Sequence, residues 1–574
     1  MASERLRTAL VLSVFAVVFT GLCVSSYRQK SATADEPVNL TAGYTMLCLH
    51  DYRIHPENLP LLRLWTAVPL LLLPDVKLDT NRVAWKQDDR VAFAFEFLYR
   101  DNDADRLLDR ARFMVVLLGL GLGCLIFFWA RDWFGMPTAV LTLALYATEP
   151  NILAHSGIAS MDIGIAFLIF GTFYFVWRMT QKLSAGNLLG LAVFFALAMV
   201  SKFTSWLLVP LVALLFGLGA WRNQTWLAGG ISRLRRLGLA TGIMIGLLIL
   251  AYGAIWAAYD FRYQPKADSR ELFQFTDSTS LRAGASHWTA ALRWIDAHRL
   301  LPNACTQGLA LEQAHDQTWP SYLLGKTSGT GWWYYFPFAI LIKTPIMLLF
   351  LAVTGSCLAG RATGQLLTRG LFILLPLLAG LAAGLTAHMN IGLRHVLPLY
   401  PFLLMTAAYP IAELIRLRRR IPQVFLGGLC LFQFAETAFA YPDYLAFFNP
   451  LSGGPRQGYK YLADSNLDWG QDLKTLKHWL DANHLDHIQL SYFGMADPAY
   501  YGIHAIYLPG SPFFGEPHAL RPTVPGFIAV SVHNLVGANP GLPRPDFYEP
   551  LRDLKPVAEL GHSIHVYWVD HQLW

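Results

Sequence analysis

Residues 187–220 read NLLGLAVFFALAMVSKFTSWLLVPLVALLFGLGA. One crossing of a bilayer needs about 20 apolar residues, so the stretch is too long for one span and short for two. Read as a single helix, it buries Lys202 in the hydrocarbon. Its flanks decide against that. Arg178 and Lys182 precede it, and Arg222, Arg233, Arg235 and Arg236 follow it. Cytoplasmic loops are enriched in Lys and Arg, so both ends face the cytoplasm and the chain turns back at SKFT. Short, interrupted spans line sites more often than they face lipid.

The same parity organises the whole chain. Its 574 residues are 54% hydrophobic, 14% aromatic and 15% charged, with a formal charge of +6 and a mean hydropathy of +0.36. Soluble domains carry about 25% charged residues, which excludes an ordinary soluble protein. Spans are expected at 8–26, 113–130, 137–148, 163–178, 187–200, 203–220, 237–259, 333–355, 370–388, 396–414 and 422–440. With eleven spans the two ends lie on opposite sides. One set of connections then collects Arg5, Arg7, Arg131, Arg178, Lys182, Arg222, Arg233, Arg235, Arg236, Arg361, Arg369, Arg416, Arg418, Arg419 and Arg420, and is read as cytoplasmic. The short loops of the other face hold only Lys202 and Arg394.

The first span follows basic residues and is longer than a usual signal-peptide core, so it is read as retained. LPLLRLWTAVPLLLLP (59–74) is apolar but carries three prolines. Were it to span, every later Arg cluster would fall outside, so it is placed on the membrane surface. The outer face then carries a first loop (27–112), a second, EPNILAHSGIASMD (149–162), a third after Tyr259, and a tail from Tyr441. In that tail HIQLSYF, GFIAVSV and SIHVYWV read as strands, and DWGQDLKTLKHWLDANH as a helix. The expected architecture is a polytopic α-helical membrane protein (1–440) with about eleven transmembrane helices and a small C-terminal extracytoplasmic α/β domain (441–574). Of six cysteines, Cys48 and Cys305 share the outer face and are able to pair.

Chemistry gathers on that face. Asp35 and Glu36 follow the first span, and Glu149 and Asp162 bracket the second outer loop. His155, Lys202, Lys343, Arg394 and His395 join them, with Arg112 at the entry to the second span. Each alone has a plain reading. A DE pair is solvated, an Asp opening a helix is a cap or dipole partner, and a Lys near a helix end snorkels. Lys343, about ten residues into its span, is the least ordinary, because a cation there is expensive and functional by default. Together, a few carboxylates and several cations at a membrane surface suit transfer of a group from a lipid phosphate. Cations hold the phosphate leaving group, and one carboxylate takes the proton of an attacking hydroxyl. One base without a second acid implies in-line displacement with inversion, whereas a glycosidase needs an acid and a base around the scissile bond.

With those residues in view, the sequence resembles the GT-C glycosyltransferases. Within them it resembles bacterial relatives of the protein O-mannosyltransferases and the aminoarabinose transferases of lipid A (glycosyltransferase family 39). ADEP in a long first outer loop is similar to their acidic motif, and YATEPNILAHSGIASMDIGIAF to their second outer loop. GWWYYFPFAILIKTP, NIGLRHVLPLYPFLL and YPDYLAFFNPLSGGPRQGYKYLADSNLDWGQDL resemble segments of bacterial lipid-carrier-dependent members. The resemblance runs from about residue 8 to about residue 480. It implies transfer of a monosaccharide from a polyprenyl phosphate to a hydroxyl acceptor at the outer face of a bacterial inner membrane, with the N-terminus cytoplasmic. It gives Asp35 as general base and Glu36 beside it as a catalytic or acceptor-orienting group. Asp162 supports the site, and a divalent ion, if one is used, falls to Asp35 and Asp162. Arg112 and Arg394 hold the carrier phosphate, with Lys202 and Lys343 behind them and Glu149, His155 and His395 in support. Two departures stand out: HPENLP replaces the HPP usual before the surface helix, and the β-trefoil domain of eukaryotic protein mannosyltransferases is missing. The implied partners are the lipid-linked sugar, an acceptor of unspecified class and the bilayer, with no nucleic acid.

Three rivals make different demands. A lipid-linked oligosaccharide ligase or oligosaccharyltransferase carries a WWDYG-type motif, while WWYYF here lacks the Asp and LDWGQD is only an echo. A transporter or flippase of lipid-linked sugars is expected to show internal symmetry and charges spread through the midplane. A membrane anchor for the tail leaves the loop carboxylates and Lys343 without a purpose.

Overall fold

A computed structural model describes residues 2–221, 232–266, 272–273, 287–361, 365–417, 419–512 and 519–574. Arg222 and Arg418 of the basic set lie outside the described residues. The molecule is a polytopic helical membrane protein with a small sheet region near its C-terminus. Among the described residues seven helices are long and apolar enough to cross a membrane: Ser3–Tyr27, Ala104–Phe134, Asp162–Gln181, Phe203–Trp221, Arg233–Ala258, Leu393–Arg416 and Arg420–Ala440. The other segments marked as spans fall on shorter helices, among them Met136–Ala147, Ala185–Met199 and Gly370–Thr386.

Two interruptions position the site. The run 187–220 breaks at Val200–Lys202, between Ala185–Met199 and a 3-10 turn, Phe203–Leu207. Lys202 is extended there, at φ −155° and ψ 141°. The segment 333–355, expected as one span, is two helices, Tyr335–Lys343 and Ile346–Arg361. Pro345 lacks the N–H that would continue the ladder and forces the residue before it out of the helical region; Thr344 sits at ψ 138°. Glycines let the helices close up, as membrane packing requires. A Cβ on Gly171 would lie 2.1 Å from Phe194, and one on Gly190 would lie 2.3 Å from Phe175. The helices Asp162–Gln181 and Ala185–Met199 thus exchange aromatic rings into each other's gaps.

The first long connection folds over one end of the bundle. Glu36–Leu49 is a largely buried helix that the sequence had not disclosed. The segment 59–74 forms Leu61–Ala67 and a 3-10 turn, Val68–Leu72, with Leu71 and Leu72 exposed. Cys48 and Cys305 are both free thiols.

The C-terminal region holds a five-stranded sheet in the order His504–Tyr507, His487–Ser491, Gly526–Ser531, Ile564–Val569, Ala558–Leu560. The first three strands are parallel neighbours and the last three pair antiparallel. Helix Leu473–Ala482 lays Leu473, Leu476 and Leu480 on the sheet. The chain between 441 and 472 belongs elsewhere: Tyr444–Phe448 and Leu462, Ala463, Leu467 and Trp469 pack into the core of the helical bundle. The boundary drawn at 440/441 therefore falls ahead of a stretch woven into the helices.

Candidate active site

Asp35 occupies the N-cap position of Glu36–Leu49, where an Asp side chain ordinarily accepts a hydrogen bond from the first helical turn. Here it makes no such bond. Its Oδ2 instead accepts from Arg394 Nη1 at 2.8 Å, and the Asp35 side chain remains 38% exposed. The loop that presents it is fixed by backbone. Ser31 N donates to the carbonyl of Gln471 at 2.9 Å and Ala34 N to that of Trp469 at 2.8 Å. Arg394 arrives on a 3-10 turn, Leu393–Leu399, that follows an extended Gly392. A Cβ at Gly392 would meet Ser465 Oγ at 2.1 Å, so a larger residue there would displace the hydroxyl that donates to the carbonyl of Ile391 at 3.1 Å. The Arg394 guanidinium lies over the Trp469 ring, 4.2 Å from its centroid, a distance at which the ring's negative face attracts the cation.

A second ion pair sits beside the first. Lys202 Nζ approaches Asp162 Oδ1 at 3.3 Å, and Ser160 Oγ donates to Asp162 Oδ2 at 3.1 Å. Arg394 is near enough to act electrostatically on Asp162 as well as Asp35. His155 and His395 flank the group, and His155 Nδ1 and His395 Nε2 are buried without partners. Burial pushes the His155 imidazole down to about 4 against the pull of Asp162, so it is neutral at physiological pH.

The structure gives other partners to two residues that sequence placed at the chemistry. Glu36 and Arg112 form a buried fork, Nε to Oε1 and Nη2 to Oε2, both at 2.7 Å. Glu36 also accepts from the backbone N of Thr33 and of Ala159, each at 2.8 Å. Arg112 spends its remaining donors on the carbonyls of Tyr27, Lys30 and Ser31. Burial raises the Glu36 carboxyl, but Arg112 and the two N–H groups outweigh it and hold it below the usual range. Neither residue keeps an atom for a substrate. The fork ties the end of the first span, the second span and the second connection into one block behind Asp35.

Lys343 is likewise committed. Its ammonium donates to the carbonyls of Leu445 and Phe447, at 2.9 and 3.0 Å, and of Asn466. Three donors meet three acceptors, which explains how a buried cation is tolerated. Glu149 caps Pro150–Ser156 through Ile152 N at 2.6 Å and accepts from Asn151 Nδ2 at 2.7 Å. Burial pushes its carboxyl up to about 7 against those bonds.

A cavity of about 700 Å³ opens beside the second ion pair. Its walls are apolar, drawn from the helices around Phe173, Leu211, Gly380 and Phe402, while Lys202, His395, Glu312 and Asp316 supply polar lining. Glu312 and Asp316 were missed in the sequence. They lie four apart on the helix Asn303–Thr318, a spacing that puts both on one face. Burial raises the Glu312 carboxyl, with Lys202 and Arg394 pulling against it. For a divalent ion the donors do not fit. Asp35 and Asp162 are each paired with a cation, and among the described residues no group of three or more His, Cys, Asp or Glu converges on a point.

Residues 105–256 match the family model described as dolichyl-phosphate-mannose-protein mannosyltransferase. The matched range holds Arg112, Glu149, His155, Asp162 and Lys202, and leaves Asp35 and Arg394 outside it. No curated protein matches the chain by sequence. Among solved structures, ArnT from Cupriavidus metallidurans in the apo state aligns over 98% of both chains at 14% identity and a TM-score of 0.34. The same protein bound to undecaprenyl phosphate aligns over 97% of both at 14% identity and a TM-score of 0.30. The archaeal oligosaccharyltransferase AglB from Archaeoglobus fulgidus, in complex with an inhibitory peptide and a dolichol-phosphate, aligns over 92% of this chain and 70% of its own at 11% identity and a TM-score of 0.46. These scores assign no residue of this chain. Residues 105–256, which run through the second long span to the helix Arg233–Ala258, are thus similar to the mannosyltransferase family model and are carried on a many-helix membrane fold.

Proposed function

We propose that the protein transfers a monosaccharide from a polyprenyl phosphate to a hydroxyl acceptor, with inversion, at the outer face of a bacterial inner membrane. The N-terminus is then cytoplasmic and the C-terminal sheet region periplasmic. The observation that carries the proposal is the position of Lys202: it pairs with Asp162 and also lines the apolar cavity. An isoprenoid tail fits apolar walls between helices, and its phosphate fits a cationic end. Arg394 supplies the second cation beside it.

The chemistry follows from charge. As the acceptor oxygen attacks the anomeric carbon, its proton passes to Asp35 and the bond from that carbon to the phosphate oxygen breaks. The carrier leaves as a phosphate monoester whose added charge Arg394 and Lys202 stabilise. Phosphate leaves without an external proton, so one base suffices. A Glu36–Arg112 fork with no free atom is best read as the support of Asp35, and Lys343 as the brace of the 445–466 loop.

The test incubates the purified chain with membrane extract and a panel of radiolabelled undecaprenyl-phosphate sugars, with and without a chelator. Label appearing on an acceptor together with free carrier phosphate supports the reading. No transfer in any combination contradicts it.

A further inference from the structure

Arg394 has three carboxylates around it and bonds only one. Asp35 accepts its Nη1 at 2.8 Å, and Asp162 is occupied by Lys202 at 3.3 Å. Asp464 faces the guanidinium electrostatically from the C-terminal loop without forming an ion pair. Meanwhile Arg394 Nε is buried with no acceptor. A buried, charged donor left unpaired is costly, so the resting position of the guanidinium does not satisfy it. Its central carbon lies over the Trp469 ring, 4.2 Å from the centroid, and the attraction of a cation to the ring face does not fix which way the N–H groups point.

Asp464 is built to be reached. Its backbone is left-handed at φ 56°, a conformation that Asp and Asn tolerate better than other non-glycine residues. The sheet region holds it there: Asp464 N donates to His533 Nδ1 at 3.2 Å, and the His533 ring stacks on Phe493 at 3.9 Å. Ser465 N donates to Asp464 Oδ1 at 2.6 Å, and no cation closes an ion pair on this carboxylate among the described residues. Backbone strain retained at a site is often part of its mechanism. The charged and titratable groups near this carboxyl are Arg394 and Asp35, the buried His533, and Tyr335 from the helix Tyr335–Lys343. Burial pushes the carboxyl up to about 6, with Arg394 pulling it down.

We propose that Asp464 is a positioning residue that competes with Asp35 for Arg394. When a donor phosphate enters, the guanidinium turns on Trp469 toward Asp464 and the phosphate, and Asp35 Oδ2 is released to act as base. The proposal rests on the glycosyltransferase reading above. It gives the C-terminal loop a part in the reaction and couples donor binding to readiness of the base.

The experiment measures kcat and donor KM for the native chain, Asp464→Asn and Asp464→Glu, using the undecaprenyl-phosphate sugar that the panel identifies, with thermal unfolding in parallel. Asn keeps the left-handed backbone. Its kcat is expected to fall about tenfold with donor KM within about twofold and an unchanged melting temperature, the pattern of a group that acts after binding. Glu is expected to recover part of kcat. An Asn variant equal to the native chain overturns the proposal while leaving the glycosyltransferase reading intact. A parallel loss of kcat and melting temperature that Glu does not relieve also overturns it, in favour of a structural role. If the native chain transfers no sugar at all, the underlying reading fails and the proposal goes with it.

Discussion

Asp35 and Arg394, 359 residues apart in the chain, are bonded at 2.8 Å, although Asp35 holds a helix N-cap position from which its carboxylate would ordinarily bond its own helix. The side chain has given up the local bond for the distant one. That exchange separates a capping Asp from one aimed into a site.

The fork beneath it is a matter of stability. Removing one partner of a buried, bidentate pair strands the other charge, at a cost of about 3–5 kcal/mol. Arg112→Ala and Glu36→Gln are each expected to lower the melting temperature and the yield of folded protein, measured by fluorescence-detected unfolding in detergent. An Arg112→Ala variant as stable as the native chain contradicts the structural assignment.

Lys202 is expected to act on the donor. Lys202→Ala removes the cation that lines the cavity and leaves Asp162 unpaired, so donor KM should rise about tenfold or more as a charge-assisted contact is lost. Steady-state kinetics with the lipid-linked sugar varied would show it. An unchanged donor KM removes Lys202 from the phosphate site.

Glu149 makes stability depend on pH. Its folded carboxyl titrates at about 7 rather than at its ordinary value of 4.5, so the folded state holds a proton that the unfolded chain releases. The contribution is fully present below the unfolded value and is lost as pH rises through about 7. Glu149→Gln cannot ionise. The melting temperature of this variant should therefore gain on that of the native chain between about pH 5 and about pH 8. A pH-independent difference contradicts the shift.

Much of this was legible beforehand, for reasons particular residues make plain. The turn at Lys202 followed from arginine parity alone. Pro345 breaks the segment 333–355 because it lacks the N–H that would continue the helix, although that segment is long and apolar enough overall to read as one crossing. Asp35, Asp162, Lys202 and Arg394 were all singled out, yet sequence spacing carries no information about which cation meets which carboxylate. Glu36 and Arg112 drew attention for the right reason, charge beside a membrane, and their burial was invisible. Asp464 and Trp469 lay inside a segment already quoted for its resemblance. Their role depends on a loop folding back into the bundle, which no local pattern signals.

Sidedness has its own test. Alkaline phosphatase fused after Trp574 is expected to be active and a fluorescent protein fused there dark, because the first folds outside the cytoplasm and the second inside it. The reverse pattern would invert the topology drawn from the basic residues.

The most direct measurement is a single turnover of Asp35→Asn with the donor bound. The residue makes no cap bond and is half-exposed, so the variant should fold and bind the lipid-linked sugar as the native chain does. Loss of a general base costs about 10²–10⁴ in rate, and the expected result is bound donor with sugar transfer slowed by that factor. Transfer at the native rate would contradict the account.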